Sequence, residues 1–280
     1  MRQVLFTVPG LGIPIFGYGL MLSMALLGSI ELAARRACRE RLDTEIIYGM
    51  ALWVVVGGLL GARSFYVAQY WGTRVRTLWD FFKIWEGGIV FYGSVIGATA
   101  AFFAYRVRHK FPIRPMLDVI APSAALGIAL GRVGCFLNGC CYGDRCDLPW
   151  AVRFPAKTGP WASQVDRGWL VEGAAWSLPV HPTQLYAAFD GIVLLALLTA
   201  FYPLRRRDGE VMGLLMLTYP ISRFLIEHLR SDEGIFLAGM TVSQCISVGL
   251  FVVGLIYWYA LGRLPARRYA DEHRPELAVA

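Results

Sequence analysis

Charge is scarce in this sequence. Only 17% of its 280 residues are Asp, Glu, Lys or Arg, whereas 56% are hydrophobic. A soluble domain of this length carries more charge and needs less apolar surface, so that class is excluded. Low-complexity tracts, internal repeats and amphipathic arms do not stand out either, and the chain reads as a single domain over residues 1–280. Nor does a small-x-small cleavage site follow the first apolar stretch. Pro9, Gly10 and Pro14 interrupt any short apolar core there, so Arg2 is expected to precede a membrane span rather than a secretory leader.

What is abundant falls into segments of about 20 apolar residues, the length that crosses a hydrocarbon layer of about 30 Å. They lie at 13–33, 46–70, 88–107, 116–138, 183–203, 209–230 and 239–261. The expected fold is all-α: a polytopic membrane bundle of about seven transmembrane helices, with a small outer head at 139–182 and a tail at 263–280. Four tryptophans of that head, Trp150, Trp161, Trp169 and Trp176, suit either a lipid–water interface or a small core of its own.

Basic residues set the orientation. Arg35, Arg36, Arg39 and Arg41 follow span one, Arg106, Arg108, Lys110 and Arg114 follow span three, and Arg205, Arg206 and Arg207 follow span five. Arg263, Arg267, Arg268 and Arg274 follow span seven. All fall on one side, which predicts a cytoplasmic C-terminus and an N-terminus on the outer face. The net charge of +7 is thereby explained by topology and anionic headgroups, without nucleic acid.

Arginine inside a span is costly, by about 2.5–3.5 kcal/mol at its centre on insertion scales. Arg63, Arg132 and Arg223 lie in or near spans. Arg63 adjoins Gly57, Gly58, Gly61 and Ala62, which suggest close helix packing, so snorkelling or pairing competes with a binding role there. Arg132 sits in Gly131-Arg132-Val133-Gly134-Cys135-Phe136-Leu137-Asn138-Gly139-Cys140-Cys141-Tyr142-Gly143, with Asn138 as a second polar group. Arg223, Glu227 and Arg230 are spaced along one helix face. They form either a closed ion-pair ladder or an anion site; the planar guanidinium fork suits phosphate. Trp85 to Gly93, His181 to Tyr186 and Gly17 to Met21 point to the same outer region, with Tyr18 and Tyr92 among their polar groups.

Together these stretches resemble the bacterial phosphatidylglycerol–prolipoprotein diacylglyceryl transferase family over nearly the whole chain. Gly17 to Met21 is similar to its Tyr-Gly-Leu-Met motif, Gly61 to Tyr66 to its small-residue–Arg–aromatic stretch, and Gly87 to Gly97 to Gly-Gly-x-x-Phe-His-Gly-Gly. After Asp118, Ala121 and Pro122, residues 131–143 resemble the signature Gly-Arg-x-Gly-Asn-Phe-x-Asn-x-Glu-x-x-Gly. His181 to Tyr186 resembles His-Pro-Ser/Thr-Gln-Leu-Tyr, and Arg223 to Arg230 resembles Arg-Phe-x-x-Glu-x-x-Arg. Four positions depart: Tyr92 replaces the family's His, Cys135 its Asn, Cys140 its Glu, and Ala187 an acidic residue.

The resemblance implies transfer of the diacylglyceryl group of phosphatidylglycerol to the lipobox cysteine thiol of a preprolipoprotein, releasing glycerol phosphate in the bacterial inner membrane. It implies catalytic roles for Arg132, Arg223, Tyr92 and Glu227, Glu227 serving as proton acceptor only if it is not locked between Arg223 and Arg230. Substrate contacts are implied for Arg132, Asn138, Tyr18, Arg63, His181, Gln184, Tyr186 and Arg230, in one cavity between spans three to six that opens sideways to lipid. The alternatives are a paralogue acting on another acceptor and a non-catalytic anionic-phospholipid binder or transporter.

No cofactor is expected. Of six cysteines, Cys38 and Cys245 read as inert. A disulfide among Cys135, Cys140, Cys141 and Cys146 is expected on the oxidising outer side. A metal site is weighed and not assigned, because Cys-x4-Cys-Cys-x4-Cys is not a familiar zinc spacing; a reactive thiol is the third reading.

Overall fold

Each predicted span becomes a long helix. The structure, a computed structural model, describes residues 4–7, 9, 10, 12, 14–73, 75, 77–83, 88, 90–230 and 235–272. Arg2, Trp85, Glu86, Gly87, Ile89 and Arg274 lie outside the described residues. A hairpin of β1 (Val4–Thr7) and β2 (Pro14–Phe16) leads into α1 (Gly17–Arg39), followed by α2 (Thr44–Gln69), α3 (Phe91–His109) and α4 (Ile113–Asn138). Then come α5 (Gly159–Asp166), α6 (Thr183–Phe201) and α7 (Glu210–Glu227). A second hairpin of β3 (Ile235–Leu237) and β4 (Met240–Thr241) precedes α8 (Val242–Gly262) and a terminal turn, α9 (Tyr269–Glu272). Among the described residues α1, α2, α4, α6 and α8 are long and apolar enough to cross a membrane. The other two expected spans are helices of 19 and 18 residues, α3 and α7.

Helix ends differ from the expected bounds in an informative way. Arg36 and Arg39 ride on the last turn of α1, and Arg106 and Arg108 on that of α3. They therefore complement the negative helix terminus as well as marking a membrane side. Arg205 is a different case: it is buried, stacks 4.1 Å from the Tyr202 ring and faces Asp118 at 3.5 Å. Arg230 lies three residues past the end of α7, so it is not on the helix face that its spacing predicted.

The chain forms two compact units. Residues 34–116 make up one, in which α2 and α3 pack at backbone distance. A Cβ on Gly61 would come within 2.7 Å of the Gly97 Cα, and one on Gly57 within 2.9 Å of the Gly97 carbonyl oxygen. Small residues let two helices approach this closely, as the run at Gly57–Gly61 predicted.

Residues 1–33 and 117–280 make up the other unit. Here α1 runs antiparallel to α4, with Gly17 against Leu137, Gly28 against Leu126, and Ser29 donating to the Ser123 carbonyl at 2.8 Å. Ala121 and Ala125 of α4 form a core with Leu194 and Leu198 of α6 and Val211 and Leu215 of α7. Pro220 deprives the Met216 carbonyl of its helical partner. Gly254 of α8 fits against that carbonyl, where an added Cβ would sit 2.9 Å away. The carboxylate of Asp118, fully buried, accepts from the backbone N–H groups of Gly209, Val211 and Met212 at 2.7, 2.9 and 3.0 Å. It thereby satisfies the start of α7, whose first amides have no partner within the helix.

The 139–182 head has a small core around Phe154 and Val180. Trp161 anchors it by donating to the Ala174 carbonyl at 2.7 Å. Trp150, Trp169 and Trp176 are about half exposed, so the head uses one tryptophan inside and turns three outward.

Candidate functional site

Three chain segments meet where α4 ends, α6 begins and α7 ends. Gly139 at φ +75° and Cys141 at φ +58° turn the chain sharply off α4. The left-handed conformation costs a non-glycine residue about 1 kcal/mol or more and persists only where neighbours enforce it. Here α6 does so. Thr183 donates to the Cys141 carbonyl at 2.9 Å, and Gln184 donates to the Cys140 carbonyl at 2.7 Å. The next residues are stitched by Gly143 N–H to the His181 carbonyl at 3.0 Å and Asp144 N–H to the Leu229 carbonyl at 2.7 Å.

Gly143 is required by space. A Cβ there would lie 2.6 Å from the Leu229 oxygen and 2.7 Å from the His181 Cβ. Gly143→Ala should lower stability by about 1–3 kcal/mol, the usual range for overpacking. It should also raise maleimide labelling of Cys141. Wild-type melting and labelling rates in this variant would contradict the account.

The turn gathers sulfur. The Sγ atoms of Cys135, Cys140 and Cys141 all lie within 4.8 Å of one another, and all six cysteines are free thiols. Cys146 is outside this group; its N–H is held by the Pro179 carbonyl at 3.1 Å. The thiol of Cys141 is held below its ordinary range by hydrogen bonds with Cys135 and Cys140, and the charges of Arg230 and Arg132 add to this. Asn138 bonds the Cys140 thiol, and the Tyr18 ring packs on Gly134 within electrostatic reach of the same sulfurs.

The ladder at the end of α7 is closed on one side. Arg223 donates to Glu227 and, at 3.1 Å, to Ser243. Glu227 is fully buried, faces Arg230 at 3.6 Å and accepts from Thr241 at 3.5 Å. It is therefore held between two arginines. Arg132 is half-buried and, among the described residues, has no carboxylate partner. Arg132 and Arg230 both lie within electrostatic reach of Cys141, and Arg230 and Arg223 share Glu227.

The remaining expected site residues divide. His181 and Tyr186 stand 3.4 Å apart between Nδ1 and the phenol oxygen, and Trp150 donates to that phenol at 2.7 Å. Gln184 is fully buried and acts on the Cys140 backbone. Arg63 and Tyr92 belong to the other compact unit. Arg63 is buried and donates to the carbonyls of Phe81 at 2.9 Å, Gly88 at 3.0 Å, Lys83 at 3.0 Å and Asp80. Its donors are engaged by backbone, so it holds a loop where a substrate contact was expected. Tyr92 is 42% exposed at the start of α3.

Sequence reasoning missed Thr183, Thr241, Ser243 and the Asp190–Ser222 hydrogen bond of 2.8 Å between α6 and α7. Asp190 carried a usable signal as the lone carboxylate of an apolar span. An apolar groove of ≈ 240 Å³ follows α7 and α8, lined by Pro220, Phe224, Ser247 and Phe251 among others, and lies beside Arg223 in sequence. The chain thus supplies guanidinium groups suited to phosphate and, along α7 and α8, an apolar groove suited to an acyl chain.

Comparison with known proteins gives a family model described as prolipoprotein diacylglyceryl transferase, which matches residues 3–260. The phosphatidylglycerol–prolipoprotein diacylglyceryl transferase of Synechococcus elongatus is 33% identical over 255 residues, covering 88% of this chain and 84% of that protein. The enzyme of the same name from Polynucleobacter necessarius is 33% identical over 251 residues, covering 85% and 88%. That of Clostridium tetani is 29% identical over 258 residues, covering 91% and 96%.

Proposed function

Because the chain belongs to the prolipoprotein diacylglyceryl transferase family, we propose that it transfers the diacylglyceryl group of phosphatidylglycerol to a prolipoprotein cysteine thiol. The acceptor is the lipobox cysteine, and the product released is glycerol phosphate. The observation that carries the site assignment is the set of charges from Arg132 to Arg223 where α4, α6 and α7 converge.

The reaction breaks the bond between the glyceryl carbon and the phosphate oxygen, so negative charge builds on the departing phosphate. Preorganised cationic donors at that point lower the barrier. Arg132, which has no carboxylate partner among the described residues, binds the phosphate directly. Arg223 and Arg230 share Glu227, which fixes the two guanidinium planes. The apolar groove along α7 and α8 receives an acyl chain. The acceptor thiol has an ordinary pKa of about 8.5, so a few per cent is thiolate at neutral pH before any activation. His181, in the same unit as these arginines, takes its proton directly.

The protein sits in the bacterial inner membrane, with seven helices crossing. Counting α3 and α7 as spans puts the N-terminus and the 139–182 head on the periplasmic side and the tail in the cytoplasm. The dense arginine clusters at the ends of α1 and α3 support that orientation. The exposed tryptophans of the head then meet the outer interface.

Complementation of a strain depleted of its own transferase tests the reading. Growth and lipoprotein lipidation should be restored. A protein that binds phosphatidylglycerol vesicles without restoring lipidation or releasing glycerol phosphate would be a lipid binder or transporter instead.

A further inference from the structure

We propose that Cys135, Cys140 and Cys141 form a three-thiolate site for a thiophilic d10 metal ion, zinc or copper(I), whose open position takes the acceptor thiol. The acceptor role rests on the transferase reading above; the metal site does not.

The geometry is that of a set of ligands. Three sulfurs on two elements lie within 4.8 Å of one another. Zinc–sulfur bonds of about 2.3 Å place tetrahedral sulfur pairs about 3.8 Å apart, so closure needs a shift of at most about 1 Å. Neighbouring residues on a chain ordinarily point their side chains apart. Here the left-handed turn at Cys141 brings Cys140 and Cys141 to the same point as Cys135. Thr183 and Gln184 hold both carbonyls of that turn from α6, which fixes the two ligands from outside the cluster. A disulfide would use two of the three sulfurs and leave the third idle.

Charge and ligand type favour the same occupant. Thiolates select soft or borderline cations over magnesium or calcium. Three thiolates with a divalent ion carry one net negative charge, and Arg132 and Arg230 lie within electrostatic reach of Cys141 to offset it. The position therefore stays attractive to phosphate. Among the described residues no fourth His, Cys or carboxylate joins the three, which leaves a position for an outside ligand, as in catalytic rather than structural zinc sites.

An open position beside a phosphate site suits a thiol substrate. A thiol that coordinates such an ion loses its proton outright. The proton passes to solvent, and the sulfur lone pair forms the new carbon–sulfur bond at the glyceryl carbon. The carbon–oxygen bond breaks, and its electron pair leaves with glycerol phosphate. No oxidant or reductant is needed.

The full-length protein, reduced and held in lipid nanodiscs, is loaded in turn with zinc, cadmium and copper(I), desalted and analysed for metal per chain. One ion per chain is expected, with a sulfur-to-metal absorption band in the cadmium form. Cys135→Ser, Cys140→Ser and Cys141→Ser should each weaken retention by at least about tenfold, a ligand-level loss. Cys146→Ser should retain the ion. Failure of the reduced protein to hold any of the three, or equal retention in all four variants, would overturn the site.

The acceptor role is read from the pH profile of transfer. Stripped protein should gain about tenfold in rate per pH unit below the thiol's pKa of about 8.5, whereas loaded protein should be nearly flat. Stoichiometric binding with identical profiles would overturn the acceptor role while leaving the site standing. Absence of transfer in both forms would overturn the transferase reading and the acceptor role together, and the metal count would still decide the site.

Discussion

Arg223→Ala should reduce lipid transfer by about 10²–10³-fold, the loss usual when one preorganised donor is removed from a developing negative charge. Two effects combine. The departing phosphate loses a cation, and Glu227 loses the nearer of its two arginine partners while remaining fully buried. Leaving a buried charge half-compensated destabilises by about 3–5 kcal/mol when a pair is broken from one side, so melting should fall together with activity. Arg223→Lys separates the two. Lysine can still neutralise Glu227, but it lacks the planar fork, so stability should largely return while activity stays low. Transfer rates in proteoliposomes and melting of the same preparations provide the check. A fully active Arg223→Ala protein would remove this arginine from the phosphate site, and recovery of both quantities by lysine would reduce its role to charge balance.

The largest expected effect on stability comes from Asp118→Ala, far from that site in sequence. The carboxylate accepts three backbone amides at the start of α7 and faces the buried Arg205 at 3.5 Å. Its removal orphans those amides and takes a carboxylate away from a buried guanidinium. A loss of about 3–5 kcal/mol is expected for breaking such a pair. That is a large part of a typical total of about 5–15 kcal/mol, so much of the protein should fail to accumulate. Asp118→Asn keeps an acceptor for some of the amides but not the charge, and should fall between. The fraction that does fold should retain a normal transfer rate, because Asp118 touches no part of the phosphate site. Wild-type melting in Asp118→Ala would show that α7 is held by packing alone.

Hydropathy predicted the helices well because a span needs only length and apolar composition, both local properties of sequence. The termini were less legible. The spacing of Arg230 predicts a place on the helical face, yet α7 stops at Glu227, and Arg230 still faces Glu227 at 3.6 Å. Contacts between distant segments left the weakest trace. Nothing near Arg63 in sequence announces that four carbonyls between Asp80 and Gly88 will engage its donors. The sequence pairs Glu227 with its arginines, and only the fold shows Thr241 against it as well. The cysteines illustrate the same limit from the other side. The oxidising outer side predicts a disulfide among Cys135, Cys140, Cys141 and Cys146, whereas left-handed turns at Gly139 and Cys141 bring Cys135, Cys140 and Cys141 together and leave Cys146 out. Backbone conformation at one position is not a property that residue type or periodicity encodes.

Glycerol phosphate release tests the central assignment most directly. Purified protein is incubated with phosphatidylglycerol vesicles labelled in the headgroup and a peptide carrying a lipobox cysteine, and both products are counted. Wild-type protein should form glycerol phosphate and lipidated peptide in equal amounts. Arg132→Ala should lower both by at least about a hundredfold while keeping its fold, since that guanidinium meets the departing charge. Undiminished release by Arg132→Ala, or vesicle binding by the wild type with no release at all, would contradict the account.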